Sequence, residues 1–202
     1  MKILDPNVIE CLSDPFKSLF PSNLKVVRVG VLGEGSCFFL SVCAALNKQN
    51  FLSKDEGTQR KIGNEFRCNY FDTTIQKHWQ KYGYNSQNDA KQKFCNPSTW
   101  ADASTFKLVA DQLHHRIIVI NTDAVTSGEG FPLHCECFGN DTLPLLVILW
   151  VNQCHFEPVG VVVASKVAHV GVQFKFDPVK DAKLVGHLLE SFERICQTTC
   201  RE

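Results

Sequence analysis

The chain has 202 residues, 44% of them hydrophobic and 21% charged, with 21 Lys+Arg against 21 Asp+Glu. This is ordinary globular composition, long enough to bury a sizeable core, and the length favours one domain over residues 1–202. The neutral balance removes the electrostatic case for nucleic acid or an anionic membrane as main partner, since both depend on an excess of Lys and Arg.

Ten cysteines are spread over the chain: Cys11, Cys37, Cys43, Cys68, Cys95, Cys135, Cys137, Cys154, Cys196 and Cys200. They are too sparse, in a chain able to build a core, for the framework of a small secreted disulfide domain. Asp5, Pro6, Glu10 and Asp14 interrupt the N-terminal stretch, which therefore lacks the apolar run of a signal peptide. The longest apolar runs, Leu143 to Val151 and Val159 to Ser165, fall short of the roughly 20 residues a membrane span requires. The expectation is a cytoplasmic protein in a reducing compartment with most thiols free.

Residues 6–20 form a Pro-bounded stretch that suits one helix. Leu24 to Leu32 alternates as a strand, with Val27, Val29 and Val31 on one face. The turn Gly33-Glu34-Gly35-Ser36 follows, and then CFFLSVCAALNK, whose helical spacing puts Cys37 at a helix N-terminus. Asp55 to Tyr82 is charged and periodic and predicts one or two helices, with Asn85 to Lys93 adding a short one. Its eight basic and five acidic residues from Lys54 to Lys93 read as a solvated helical face. Ser98 or Thr99 would cap a helix running to about His114, with Trp100 in a packing role. Arg116 to Ile120 is a β-branched strand, Asn121 to Gly130 a polar loop, and strands are predicted at Leu133–Phe138, Leu145–Val151, Phe156–Ala164 and Val170–Phe176. Asp177-Pro178 opens a final helix with Leu184, Leu188, Phe192 and Ile195 on its buried stripe. Strands that follow one another closely, mixed with helices, give an α+β (loosely α/β) protein: a central mixed, largely antiparallel sheet flanked by helices.

Cys37 stands apart from the other cysteines. The helix dipole and free amides at its position favour the thiolate, and a Gly-rich turn lets backbone N–H groups converge as an oxyanion hole demands. A nucleophilic thiol also needs a base. Among seven histidines, His155 is best placed, at a short turn between two apolar strands. Taken alone, a cysteine at a helix start is more often packing, and these residues leave a cysteine hydrolase as one hypothesis among several.

The segment Gly33-Glu34-Gly35-Ser36-Cys37-Phe38-Phe39-Leu40-Ser41-Val42 resembles the nucleophile motif of the ovarian-tumour (OTU) family of cysteine proteases, G-D-G-x-C-[FLW]-[FY]-x-[AS]. Trp100 with Ala110-Asp111-Gln112-Leu113 and Ile117 to Ile120 resembles the second block of that family. Leu149-Trp150-Val151 and His155-Phe156-Glu157-Pro158-Val159 resemble its closing block. The three blocks stand in family order over residues 33 to 159, with 118 positions from Cys37 to His155.

This resemblance implies a papain-like OTU fold and a deubiquitinase needing no cofactor. Its substrates would be conjugates of ubiquitin or a ubiquitin-like modifier, with no nucleic acid or membrane partner. Cys37 is the implied nucleophile and His155 the general base, with Glu157 as third catalytic residue and Asn152 as its alternative. Glu34, Gly35 and Ser36 form the implied oxyanion loop, in which Glu34 replaces the usual Asp and braces the loop by hydrogen bonds. Phe38, Trp150 and Phe156 are expected to wall the substrate channel. Members occur in viruses, bacteria and eukaryotes, so a host–virus role is among the implications. Residues 1–23 and 165–202 have no family block behind them.

His134, Cys135, Cys137 and Cys154 are zinc-type ligands, but C-x-C is tighter than usual zinc spacing, so no metal site is expected and packing is favoured. His114-His115 reads as a helix C-terminal cap. Two rival readings stand beside the deubiquitinase: a catalytically impaired OTU-like ubiquitin-binding module, motivated by Glu34, and a papain-like peptidase acting on a polyprotein.

Overall fold

The computed structural model describes residues 1–123, 134–164 and 170–199. In chain order the main elements are β1 (Ile9–Cys11), β2 (Val26–Val29), α1 (Cys37–Ala45), α2 (Glu56–Tyr70), α3 (Gln76–His78), α4 (Gln87–Cys95) and α5 (Ala103–Leu113). There follow β3 (Arg116–Asn121), β4 (His134–Phe138), β5 (Leu145–Val151), β6 (His155–Ala164), β7 (Val170–Gln173), β8 (Lys175–Phe176) and α6 (Ala182–Thr199). The strands form one sheet in the order β1-β2-β6-β5-β3-β4, with β7 beside β6 and β8 beside β5. Among the described residues β3 and β5 pair in parallel and the other pairings are antiparallel. The arrangement is the expected α+β one.

The central strands are apolar on both faces because both faces are covered. From β3 and β5, Ile117, Val119, Leu146 and Ile148 pack with Phe156 against α1, α2 and α5. Ile118, Ile120, Leu145, Val147 and Leu149 face the other way, onto Phe16, Leu19, Val185, Leu188 and Phe192. Helix α1, CFFLSVCAA, is apolar almost all round and every one of its residues is buried; such a helix is stable only when wrapped by other elements. Gly63 lets α2 come close to it, since a Cβ there would lie 2.4 Å from Leu40 Cδ2.

Three local expectations are corrected. Residues 6–20 form β1 and a short 3-10 helix (Phe16–Leu19) rather than one helix, because prolines at 6 and 15 bound too little sequence for a stable α-helix. Helix α5 is capped by Asp102, whose side chain accepts from Thr105 N, and not by Ser98 or Thr99. Asp177 Oδ1 accepts from Val179 N and Lys180 N, so Pro178 sits in an Asx-type turn ahead of α6 rather than in its first turn. The predicted loop from 124 onward and the predicted strand start at Leu133 lie outside the described residues.

Candidate active site

Strand β2 ends at Val29, and the chain turns through residues 30–36 into α1, whose first residue is Cys37. Within the turn the Glu34 amide donates to Leu32 O (3.1 Å) and the Cys37 amide to Glu34 O (2.8 Å). Cys37 is 2% exposed. Burial pushes its thiol up to about 11, outweighing the lowering by the backbone amides of Phe156, Phe38 and Cys37 itself. This reverses the sequence expectation: the helix N-terminus favours the thiolate, but removal from water costs more. Resting Cys37 is therefore a thiol. Its alkylation by iodoacetamide is expected to accelerate steadily from pH 7 to pH 10, followed by mass spectrometry; a plateau reached by pH 7 contradicts the assignment.

His155 opens β6 immediately after a hairpin turn in which Asn152 and Gln153 take φ of 51° and 52°. The turn closes by Cys154 N donating to Val151 O at 3.1 Å. His155 is 1% exposed, and neither ring nitrogen has a hydrogen-bond partner among the described residues. A Cβ built on Gly33 would sit 3.8 Å from Nδ1, so that nitrogen faces the loop leading into Cys37. Nε2 faces Glu157, with Oε1 4.0 Å away, too far for a hydrogen bond but close for a charge. Burial first, and Arg28 second, pull the imidazole down to about 4. The unpartnered ring nitrogens are open to a new hydrogen bond, but an imidazole held this low is a weak base in the resting chain.

Glu157 lies two residues along β6 and so on the same face as His155. It is fully buried. Its Oε2 accepts from Arg28 Nη1 at 2.7 Å and its Oε1 from Leu4 N at 2.8 Å. Arg28, on β2, also donates from Nη1 to Lys2 O (2.9 Å) and from Nη2 to Glu10 Oε1 (2.7 Å). Burial raises the Glu157 carboxyl, with the Leu4 amide and Arg28 opposing it. Residues 2–4 thus run across the back of this carboxylate. Asn152, the alternative third residue, is exposed in its left-handed turn and makes no hydrogen bond to the imidazole.

The three expected oxyanion-loop residues lie together in the turn. Glu34 points outward and pairs with Arg60 of α2 (2.7 Å), so it braces the loop through a half-exposed ion pair. Gly35 is required by close approach: a Cβ would lie 2.4 Å from Pro97 O. Ser36 is fully buried and its hydroxyl donates to Asn64 Oδ1 at 3.0 Å. Arg67 of α2, which sequence reasoning placed on a solvated face, is 2% exposed and reaches this turn from beneath. The signal for it was Gly63 four residues earlier, marking the α2 face that approaches the core.

No family model matches the chain, and no curated protein matches it in sequence. Solved structures do match. An ovarian tumour (OTU) domain in complex with ubiquitin superposes with a TM-score of 0.50 at 16% identity, over 98% of each chain. The Hazara virus OTU bound to ubiquitin superposes with a TM-score of 0.51 at 14% identity, over 81% of this chain and 95% of that one. The fold is that of OTU domains.

On this OTU fold the three aromatics expected in the channel separate. Phe38 and Phe156 are 0% and 1% exposed and cluster with Phe106: Phe38 and Phe106 each meet Phe156 edge-to-face at 5.5 Å and lie tilted against each other at 4.6 Å. They are core, not channel wall, because Phe156 alternates with His155 and so points to the helix-covered face. Trp150 stacks on Phe156 at 6.0 Å and is half-buried. It lines a cavity of about 220 Å³ with Ala101, Ala103, Phe106 and Val119, rimmed by Asp102, Asn121 and Glu136. Trp100, expected to pack, is 49% exposed.

Among the described residues no three His, Cys, Asp or Glu side chains converge on a metal-sized site. Cys135 is buried on β4, where it pairs with Ile120, and Cys137 and Cys154 are exposed. Cys196 and Cys200 lie outside the described side chains. No helix among the described residues is long and apolar enough to cross a membrane.

Proposed function

We propose that this OTU-fold chain is a cysteine-dependent isopeptidase that cleaves after the C-terminal glycine of ubiquitin or a ubiquitin-like modifier. The observation that carries the reading is that the turn leading into Cys37 lies against the His155 ring, with the Glu157 carboxylate towards that ring's other nitrogen. Cys37 opens a buried helix against the Phe156 amide, His155 Nδ1 faces its loop, and Nε2 faces the buried Glu157 at 4.0 Å. The two ubiquitin-bound neighbours point to the acyl group.

In this mechanism His155 Nδ1 takes the Cys37 proton as sulfur attacks the scissile carbonyl. The Gly35 and Ser36 amides hold the oxyanion, because the Glu34 and Cys37 amides are already spent on Leu32 O and Glu34 O. Glu157 stabilises the imidazolium, which then protonates the leaving lysine amine. Water attacks the thioester with His155 again as base.

A ubiquitin probe bearing a C-terminal electrophile tests the reading. A covalent adduct that disappears in Cys37→Ala is expected. The near-complete burial of Cys37 and His155 favours, as second reading, a module that binds ubiquitin without turnover; binding without adduct selects it. Neither binding nor adduct would leave a papain-like peptidase with another substrate.

A further inference from the structure

We infer that Arg67 is a positioning residue for the oxyanion-binding turn, holding the peptide between Gly35 and Ser36 in the orientation that presents the Ser36 amide to substrate. The inference rests on the acyl-transfer reading above. Arg67 Nη1 donates to Gly35 O at 3.3 Å and to Ser36 Oγ at 3.4 Å. Nη2 donates to Thr99 O at 2.7 Å and Lys93 O at 3.1 Å, and Nε to Phe94 O. One buried guanidinium therefore joins the turn to the last turn of α4 and to the segment that blocks any side chain at Gly35. The fork is fixed from outside as well, with the rings of Phe39 and Phe94 at 5.0 Å and 5.9 Å.

The planarity of the peptide group links the two ends of this contact. In a trans peptide the carbonyl of one residue and the N–H of the next point in opposite directions. Fixing Gly35 O towards Arg67 therefore fixes the Ser36 N–H away from it. If this peptide flipped, a carbonyl dipole would replace the donor and repel the developing oxyanion. Gly35 lacks the Cβ that would otherwise resist such a flip, so the restraint has to come from a partner on its carbonyl. A lysine at 67 supplies one compact charge and cannot span the Gly35, Lys93, Phe94 and Thr99 carbonyls together. Burial lowers the guanidinium to about 10, still well above neutrality, so the donor fork is intact under working conditions.

The test exploits a difference in chemistry. Acyl transfer develops an oxyanion, whereas alkylation of Cys37 by iodoacetamide is a displacement at carbon that develops none. Wild type, Arg67→Met and Arg67→Lys are compared on a fluorogenic ubiquitin C-terminal amide and with iodoacetamide at one pH, each normalised to folded protein. Arg67→Met is expected to lower kcat by about 10²-fold, the scale of one lost oxyanion donor. KM and the alkylation rate should stay within about two-fold, the scale of uniform binding left untouched. Arg67→Lys, which keeps the charge, is expected to lose less and to show the same split. Parallel loss of alkylation and kcat, or unchanged kcat, overturns the inference. If Arg67→Met does not fold, Arg67→Lys decides on the same two outcomes. Absence of both turnover and probe adduct in wild type sinks the isopeptidase reading and this inference with it, whereas an active wild type without the split sinks this inference alone.

Discussion

Replacing His155 by alanine is expected to lower hydrolysis of ubiquitin conjugates by about 10³-fold while the chain stays folded. The imidazole makes no hydrogen bond among the described residues, so its truncation should cost no more than about 2 kcal/mol. Circular dichroism and a melting curve check the fold, and steady-state kinetics check the rate. A second readout is independent of substrate. The folded-state pKa of about 4 lies below the ordinary 6.5, so between these values the unfolded chain binds a proton that the native chain refuses. Stability contributed by neutral His155 is therefore complete above pH 6.5 and is lost as pH falls towards 4. In His155→Ala that part of the acid limb should flatten. Glu157→Gln, which keeps shape but removes the charge on the imidazolium, should cost about 10-fold in rate, far less than loss of the base. Should Glu157→Gln be harmless and Asn152→Ala crippling, the third role passes to Asn152.

Arg28→Ala should be the most damaging substitution for stability. Arg28 and Glu157 are 3% and 0% exposed at their side chains and pair at 2.7 Å. Removing one partner of a buried pair leaves an uncompensated charge and costs roughly 3–5 kcal/mol. For a chain of this length that is about 6–20 °C in melting temperature. The double variant Arg28→Met with Glu157→Leu should recover much of the loss, since replacing a buried pair by apolar volume is close to neutral. Chemical denaturation of the two variants measures this. Equal destabilisation of single and double variants would falsify the view that the unpaired carboxylate is the cost.

The α+β class, the helix that opens at Cys37 and the strands on either side of the turn before His155 were legible in the sequence. Each depends on local features: a Gly-rich turn, a helix-period apolar run, and an apolar strand ending in a tight turn. What was not legible depends on packing at long range. A helix start argues for an acidic thiol, and only the wrapping of α1 on all sides shows that burial prevails at Cys37. Arg67 read as part of a solvated helical face because a charge in a periodic pattern is ordinarily solvated, yet it is buried on carbonyls; Arg28, which nothing in its strand singled out, is buried on a carboxylate. The burial of Phe156 was within reach, since alternation turns it away from His155. Trp100 carried the opposite error: a large aromatic ahead of a helix suggested packing, and it is half exposed.

The carboxylate behind His155 is held in part by main-chain atoms, the Leu4 amide and the Lys2 carbonyl through Arg28. Downstream, Asn7 N donates to Gly30 O at 2.9 Å and Gly30 N to Val8 O at 2.9 Å. A Cβ on Gly30 would meet Asp5 O at 2.0 Å. Such contacts place demands on spacing and almost none on side-chain identity. Side chains add demands of their own, since Leu4 is buried and Asn7, at a left-handed φ of 63°, accepts from Gln59 Nε2 at 2.8 Å through its Oδ1. A single-residue deletion between positions 4 and 7 would shift the Leu4 amide by about 3.5 Å along the chain and disengage it from Glu157.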